Sequence, residues 1–286
     1  MNENLLVVQL SDYDAEPYMP HPKKRRSSVS EVVFERIGAT TGYQRVAESI
    51  EKQILAGKLI PGDVLPTEYD LAIRLGVNRS TIREGIRLLE NTGLVKRAGG
   101  KKLVISVPAQ GALTWSTTRA LTLGRTTFQE LWEIQMRLEP LAAALAAERA
   151  TEEIVDALAS NIERTRKSLD DDAALISCDV QFHELIAKGA ANWPLALAAA
   201  PIGQLLLAAT KDLYKRAPRA SSRLLEAHTR IFEAIRARDV QTSELWMEKH
   251  IRDFKVGYRV AGLDMGGPLN LDSIEGLRPG RADTLP

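Results

Sequence analysis

Residues 67–102 set two short helical periods, a glycine stop between them and an apolar, basic hairpin in immediate succession, an order that few small folds accommodate. Thr67 with Asp70 three residues later is a capping box in which Asp takes the place of Glu. Leu71, Ala72 and Leu75 then make one apolar face, and Gly76 supplies a left-handed stop. The second period runs from a cap at Asn78 or Ser80 to Asn91, with Ile82, Ile86 and Leu89 on its buried side. That leaves Arg79, Ser80, Thr81 and Arg83 in its first turn and Arg87 one turn further on. A helix start bearing Arg, Ser and Thr, with its dipole behind them, suits phosphates and base edges. Two solvated surface helices would give the same pattern, so the next segment decides. Leu94-Val95-Lys96-Arg97, a turn at Ala98-Gly99-Gly100 and the β-prone residues 101–107 read as a hairpin with a basic tip, which is a wing.

Charge supports that reading locally. The net charge of +1 gives no global attraction to nucleic acid, but residues 43–107 hold eleven Lys/Arg against seven Asp/Glu, a surplus that would release counterions from a phosphate backbone. A length of 286 residues allows two domains, and 44% apolar residues is the content of an ordinary globular protein. Cys178 is the only cysteine, which excludes an internal disulfide and fits a reducing cytosol. The N-terminus lacks the basic-then-apolar pattern of a signal peptide. The most apolar run, residues 195–209, is interrupted by Pro201, Gly203 and Gln204 and falls short of the ~20 residues a membrane span requires. The expectation is a cytoplasmic protein without a membrane anchor.

Residues 1–40 mix Pro, Asp and Ser without a sustained period and are expected to be disordered. Their cationic knot, His21-Pro22-Lys23-Lys24-Arg25-Arg26, reads first as a solvated segment and second as an arm adding non-specific phosphate affinity. A helix from Thr41 or Gly42 through Ala56, with Val46, Ile50, Ile54 and Leu55 inward, would brace the reading helix. The DNA-facing module spans residues 41–108, and residues 109–125 read as a linker in which Leu113 and Trp115 pack on a domain.

From Thr126 the signals are helical throughout. A Thr126/Gln129 capping box opens a helix to Arg149 with a core face of Leu131, Ile134, Leu138, Leu141 and Leu145, and Pro140 as a kink point. Thr151 caps a second helix to Leu169, and Asp170-Asp171-Asp172 starts a third that reaches Lys188. Pro194 begins a fourth, Ser221 or Ser222 caps a fifth to Arg238, and Asp239 precedes a sixth that ends near Ala261 with Gly262 as its stop. The predicted fold class is mostly α: an N-terminal winged helix-turn-helix, then a six- or seven-helix antiparallel bundle over residues 126–261. Residues 262–286 read as a disordered tail.

Three of the chain's four histidines, His183, His228 and His250, fall in the bundle. Asp179 precedes His183 by four residues, one turn away on the same helical face. His228 sits beside Ala227 and Ile231, and His250 beside Trp246, Ile251 and Phe254. Pointed inward, these four groups would suit Zn2+, with Ni2+ or Mn2+ as alternatives, and serve Mg2+ or Ca2+ poorly. Three unrelated helical histidines, each hydrogen-bonded locally, would give the same spacing, so spacing alone leaves both open.

Residues 43–108 resemble the winged helix-turn-helix of the GntR family of bacterial transcription regulators. The resemblance runs through Ile54-Leu55-Ala56-Gly57-Lys58-Leu59, Pro61-Gly62-Asp63-Val64-Leu65-Pro66-Thr67-Glu68, Leu75-Gly76-Val77, Arg79-Ser80-Thr81, Arg83-Glu84 and Gly93-Leu94-Val95. It implies DNA contacts from Arg79, Ser80, Thr81 and Arg83, with wing contacts from Gly100 and Lys101; Arg87 is a further candidate on the same helix. Where the family often has Arg, this chain has Tyr69, which can hydrogen-bond a phosphate but brings no charge.

Residues 126–261 are similar to the ligand-binding domain of the FadR subfamily, the all-helical kind that carries a metal. Leu138-Glu139-Pro140, Leu145-Ala146-Ala147-Glu148-Arg149-Ala150-Thr151, Asp179-Val180-Gln181-Phe182-His183, Glu226-Ala227-His228 and Met247-Glu248-Lys249-His250-Ile251 carry the similarity. It implies that Asp179, His183, His228 and His250 bind a divalent cation whose shell is completed by a small organic acid. Many such domains place an Arg for the effector carboxylate where this chain has Gln135. Arg137 lies about 200° around the helix and cannot substitute, which leaves Arg223 as an alternative anion partner.

Together the resemblances imply a one-component regulator, a repressor relieved by ligand, acting on double-stranded DNA. A homodimer is expected because one short reading helix covers only a half-site and two-fold pairs read pseudo-palindromic operators. The competing class is a metal-dependent hydrolase fused to a DNA module, since an open metal position can acidify bound water to a pKa of about 7.

Overall fold

A computed structural model describes residues 41–100, 102–217 and 219–269. The expectations for residues 1–40 with their cationic knot, for Lys101 and for residues 270–286 lie outside the described residues.

The first five elements are α1 (Gly42–Leu55), α2 (Glu68–Leu75), α3 (Arg79–Asn91), β1 (Val95–Ala98) and β2 (Lys102–Ile105). Thr41 and Gln44 form a reciprocal capping box at α1. Val46, Ala47 and Ile50 are buried there, while Leu55, expected inward, is 78% exposed. Ile54 repeats the Ile50 face four residues on, so Leu55 is turned off that face by about 100°. Thr67 accepts a hydrogen bond from the Asp70 amide, and Gly76 ends α2 at φ 63°. Asn78, not Ser80, stands at the N-cap of α3. Ile82, Ile86 and Leu89 are buried as their spacing predicts, whereas Leu75, in the last turn of α2, is exposed at the edge. The wing is antiparallel with Val95 opposite Ile105 and Ala98 opposite Lys102, and Gly99 and Gly100 turn it with positive φ. Val64 bridges Val104, adding a further rung from the loop ahead of α2.

Gly85 is where α3 meets α1. A Cβ on this residue would lie 2.7 Å from Val46 Cγ1 and 2.8 Å from the Tyr43 carbonyl oxygen. The latter is backbone and cannot rotate away. Gly85→Ala is therefore expected to destabilise the protein by ~1–3 kcal/mol despite the better helix propensity of Ala. Chemical denaturation checks this, and a variant as stable as the parent would contradict so close an approach.

The remaining helices are α4 (Gln110–Leu123), α5 (Phe128–Arg149), α6 (Glu152–Lys167), α7 (Asp172–Gly189), α8 (Trp193–Arg216), α9 (Ala220–Arg236) and α10 (Val240–Val260). The expected linker is thus mostly helix: α4 packs on α8 as a seventh bundle helix, burying Thr114 and Thr118. Its inner face is threonine, which carries no apolar period to read. The α5 cap is Thr127 with Glu130, one residue later than expected, because Thr126 is occupied with the Leu121 carbonyl. Helix α5 runs on through Pro140.

The core face of α5 differs in part. Leu131 is buried and Leu138 and Leu145 pack half-buried on the core, but Ile134 is 51% and Leu141 45% exposed. The buried stripe is Phe128, Gln135, Glu139, Ala142, Ala143, Ala146 and Ala147. Alanine lets α10 approach until Ser243 Oγ donates to the Ala143 carbonyl at 3.0 Å. The caps at Asp171, Asn192 and Asp239 all accept hydrogen bonds from the helix amides they precede. Helix α9 starts at Ala220, ahead of the predicted serine cap, and Ser222 instead donates back to the Arg219 carbonyl. The expected C-terminal tail is ordered at its start, since the Gln129 amide donates to the Met265 carbonyl and Leu263, Met265 and Leu269 pack with Phe128 and Leu131. No helix among the described residues is long and apolar enough to cross a membrane.

Candidate metal and effector site

Three helices bring four predicted ligands together. α7 carries Asp179 and His183 one turn apart, α9 carries His228, and α10 carries His250. His250 Nε2 stands 3.3 Å from His183 Nε2 and 3.4 Å from His228 Nε2, and Asp179 Oδ1 is 3.3 Å from His228 Nε2 and 3.6 Å from His183 Nε2. All four donor atoms lie within 4.8 Å of one another. Donors about 2.0–2.1 Å from a shared tetrahedral centre would stand about 3.3 Å apart, so the spacing fits a first-row cation. Asp179 Oδ1 is also buried without a well-aligned hydrogen-bond partner. Three imidazoles and one carboxylate aimed at one point are a donor set that a divalent ion satisfies.

The packing behind the quartet fixes its orientation. His228 is fully buried and stacks on Phe182 with ring centroids 3.7 Å apart. Glu139, 5% exposed on α5, holds His183 Nδ1 at 2.8 Å and leaves Nε2 for the shared point. Burial opposes charge on Asp179, but its contacts with His183 and His228 outweigh burial and hold the carboxyl well below its usual range. Burial likewise opposes charge on His183, and the carboxylates of Glu139 and Asp179 overcome it, pushing the imidazole up to about 10. Burial pushes His228 down, and burial with the two neighbouring imidazoles pushes His250 well down. Two of the three rings are therefore already in the neutral form that coordinates metal.

The quartet borders a cavity of about 740 Å3. Asp179, His183 and His250 face it, as do Gln135 and Glu139 from α5 and Tyr214 from α8. Gln135 faces this cavity, with its Oε1 buried and unpaired. Arg223 is engaged by Asp253 of α10, with Nε 2.6 Å from Oδ2, and lines a smaller adjoining recess of about 230 Å3. Four lining groups went unassigned in the sequence. Glu139 lies four residues after Gln135 on one face, a signal that was available. Tyr214, which lines the cavity from α8, and Gln110 and Thr114 of α4 had no local signal.

On the reading helix, Arg79 and Ser80 are exposed and Thr81 is half-buried, its methyl 3.2 Å from where a Cβ on Gly42 would stand. Arg83 pairs with Glu68 at 3.5 Å, and Arg87 with Glu84 at 3.1 Å. Arg97 of the wing joins Glu68 and Glu90, so one carboxylate links α2, α3 and β1. Tyr69 is exposed on α2, and Gly100 sits in the wing turn.

A winged helix-turn-helix followed by a helical bundle with a carboxylate-imidazole cluster defines the class of ligand-responsive transcription regulators. Residues 42–105 match the family model "Bacterial regulatory proteins, gntR family", and residues 130–253 match the FCD domain, a metal-binding ligand domain. The chain belongs to the GntR family and is FadR-like. It is 36% identical over 156 residues to an uncharacterised HTH-type transcriptional regulator, Rv0494, of Mycobacterium tuberculosis, covering 54% of this chain and 64% of that one. It is 28% identical over 228 residues to the HTH-type transcriptional repressor NanR of Klebsiella aerogenes, covering 77% and 86%. Among solved structures it is similar to Streptococcus agalactiae GntR, with 28% identity, a TM-score of 0.54 and coverage of 75% and 99%. These relatives are regulators, a non-enzyme class, and the hydrolase reading is set aside on that ground.

Proposed function

We propose that this protein is a repressor whose hold on its operator is controlled by an organic acid bound at a metal held by Asp179, His183, His228 and His250. The convergence of these four donors beside a cavity is the observation that carries the reading. Zn2+ is the ion the donor set favours, and it would supply a Lewis-acidic point of attachment for a carboxylate. Glu139 keeps His183 oriented, and Phe182 stacks against His228 so that its Nε2 stays aimed inward. Arg79, Ser80, Thr81, Arg83 and Arg87 contact the duplex, Tyr69 adds a neutral phosphate contact, and Gly100 and Lys101 bring the wing to the backbone. Two copies related by a two-fold axis would read a pseudo-palindrome in the cytoplasm.

Repression finds support in the printed function of the NanR relative. The metal and the acid act on DNA affinity through a coupling of about 1–3 kcal/mol, the usual range for allostery. A gel-shift series with the protein's own upstream DNA tests the reading. At least one of a panel of organic acids should weaken the operator affinity of metal-loaded protein about 5–150-fold and leave that of chelator-treated protein unchanged. Acids that act equally well after the metal is stripped would overturn it.

A further inference from the structure

Gln135 is 6% exposed and faces the cavity, yet its Oε1 has no hydrogen-bond partner. A buried amide oxygen left unpaired is costly, and such atoms call for a partner that the fold itself does not supply. Metal binding at the quartet does not meet that need. The charge around Gln135 narrows what can. Glu139 lies one helical turn away on the same face and directs its carboxylate to His183, so a second anion beside Gln135 would meet a like charge. Among the described residues lining the cavity, the only Lys or Arg is Lys188, exposed on α7. Arg223 is taken by Asp253. The rest of the wall is largely apolar, with Ala196, Ala199, Ala200, Leu206, Ile251 and Phe254. At about 30 Å3 for each water, a cavity of about 740 Å3 would hold roughly 25 of them, so an acid of three or four carbons would leave most of it wet.

We propose that the effector is a monocarboxylate with an apolar body and a neutral hydroxyl or amide N–H that donates to Gln135, and not a dicarboxylate. The inference rests on the metal-and-acid reading above, in which the single carboxylate goes to the cation. Either orientation of the Gln135 amide is uncharged, so the selection against a second carboxylate does not depend on which atom is oxygen.

The test uses the full chain carrying its metal, titrated calorimetrically with octanoate, with 2-, 3- and 4-hydroxyoctanoate, and with butanedioate, hexanedioate and octanedioate. Gln135→Leu and Gln135→Arg are titrated beside it, with metal content and melting temperature verifying that each is folded. At least one hydroxyoctanoate should bind ~3–10-fold more tightly than octanoate, and every dicarboxylate ~10-fold or more weakly than that hydroxy acid. Gln135→Leu should erase the hydroxyl advantage while keeping octanoate affinity within about threefold, and Gln135→Arg should reverse the order in favour of a dicarboxylate. A dicarboxylate that binds the unaltered protein as tightly as the best hydroxy acid, or a hydroxyl advantage that survives Gln135→Leu, would overturn the proposal. Binding of monocarboxylates that persists undiminished after chelation would instead overturn the metal-and-acid reading beneath it.

Discussion

His250→Ala is expected to reduce retained metal from about one ion per chain to none after dialysis. His250 Nε2 stands 3.3 and 3.4 Å from the other two imidazoles, so its loss removes a donor that borders both. Removing a group that merely orients a ligand typically weakens metal binding about 10–100-fold, and loss of a ligand itself should exceed that. The side chain borders the cavity instead of sitting behind it, which keeps the damage to packing small. His228→Ala would bind metal no better but would also vacate a fully buried position stacked on Phe182, confusing metal loss with unfolding. Asp179→Asn offers the complementary test, since it preserves shape and removes only the charge between His183 and His228. Elemental analysis and the metal-dependent rise in melting temperature read both variants, and metal bound one per chain in His250→Ala would refute the assignment. Operator binding without effector should survive in each, because the DNA contacts proposed here lie in residues 69–101.

The local pattern offered the histidine cluster as one of two readings, and the family resemblance selected it. Asp179 and His183 are one helical turn apart, and His228 and His250 are each embedded in apolar residues. The winged module was legible because its caps, glycine stop and hairpin are all short-range signals. What the sequence hid was tertiary. The predicted leucine face of α5 follows helical period faithfully, yet the buried stripe is alanine with Gln135 and Glu139, because close helix packing and a polar site outweigh the larger side chains. Helix α4 reads as a linker in the sequence because threonines line its inner face. Residues 263–269 carry few apolar groups, but three of them find the start of α5 and hold the segment in place. Tyr214 lines the same cavity as Asp179 from another helix, a juxtaposition no spacing along the chain encodes.

Neutralising Arg79 and Arg83 together should weaken operator binding by ~100-fold or more at moderate salt, with a salt slope shallower by about two if both contact phosphates. The two arginines are not equivalent. Arg79 has no ion-pair partner among the described residues and stands exposed at the first position of α3, where the helix amides also point. Arg83 is shared with Glu68, which also engages Arg97 of the wing. An exposed pair of this kind contributes only about 0–1 kcal/mol, so exchanging Glu68 for a phosphate is favourable but less so than a contact made by an unpaired arginine. Arg79→Ala should therefore cost more affinity than Arg83→Ala. Glu68→Gln should do the opposite of both, tightening binding several-fold by releasing Arg83 and Arg97 from a carboxylate that the incoming phosphates would otherwise face. Fluorescence anisotropy with operator and random duplex at several salt concentrations separates the contributions. A residue that only holds phosphate weakens both duplexes alike, whereas one that reads a base loses the difference between them. If Arg79→Ala and Arg83→Ala each leave affinity and salt slope untouched, the front of α3 is not the surface that meets DNA.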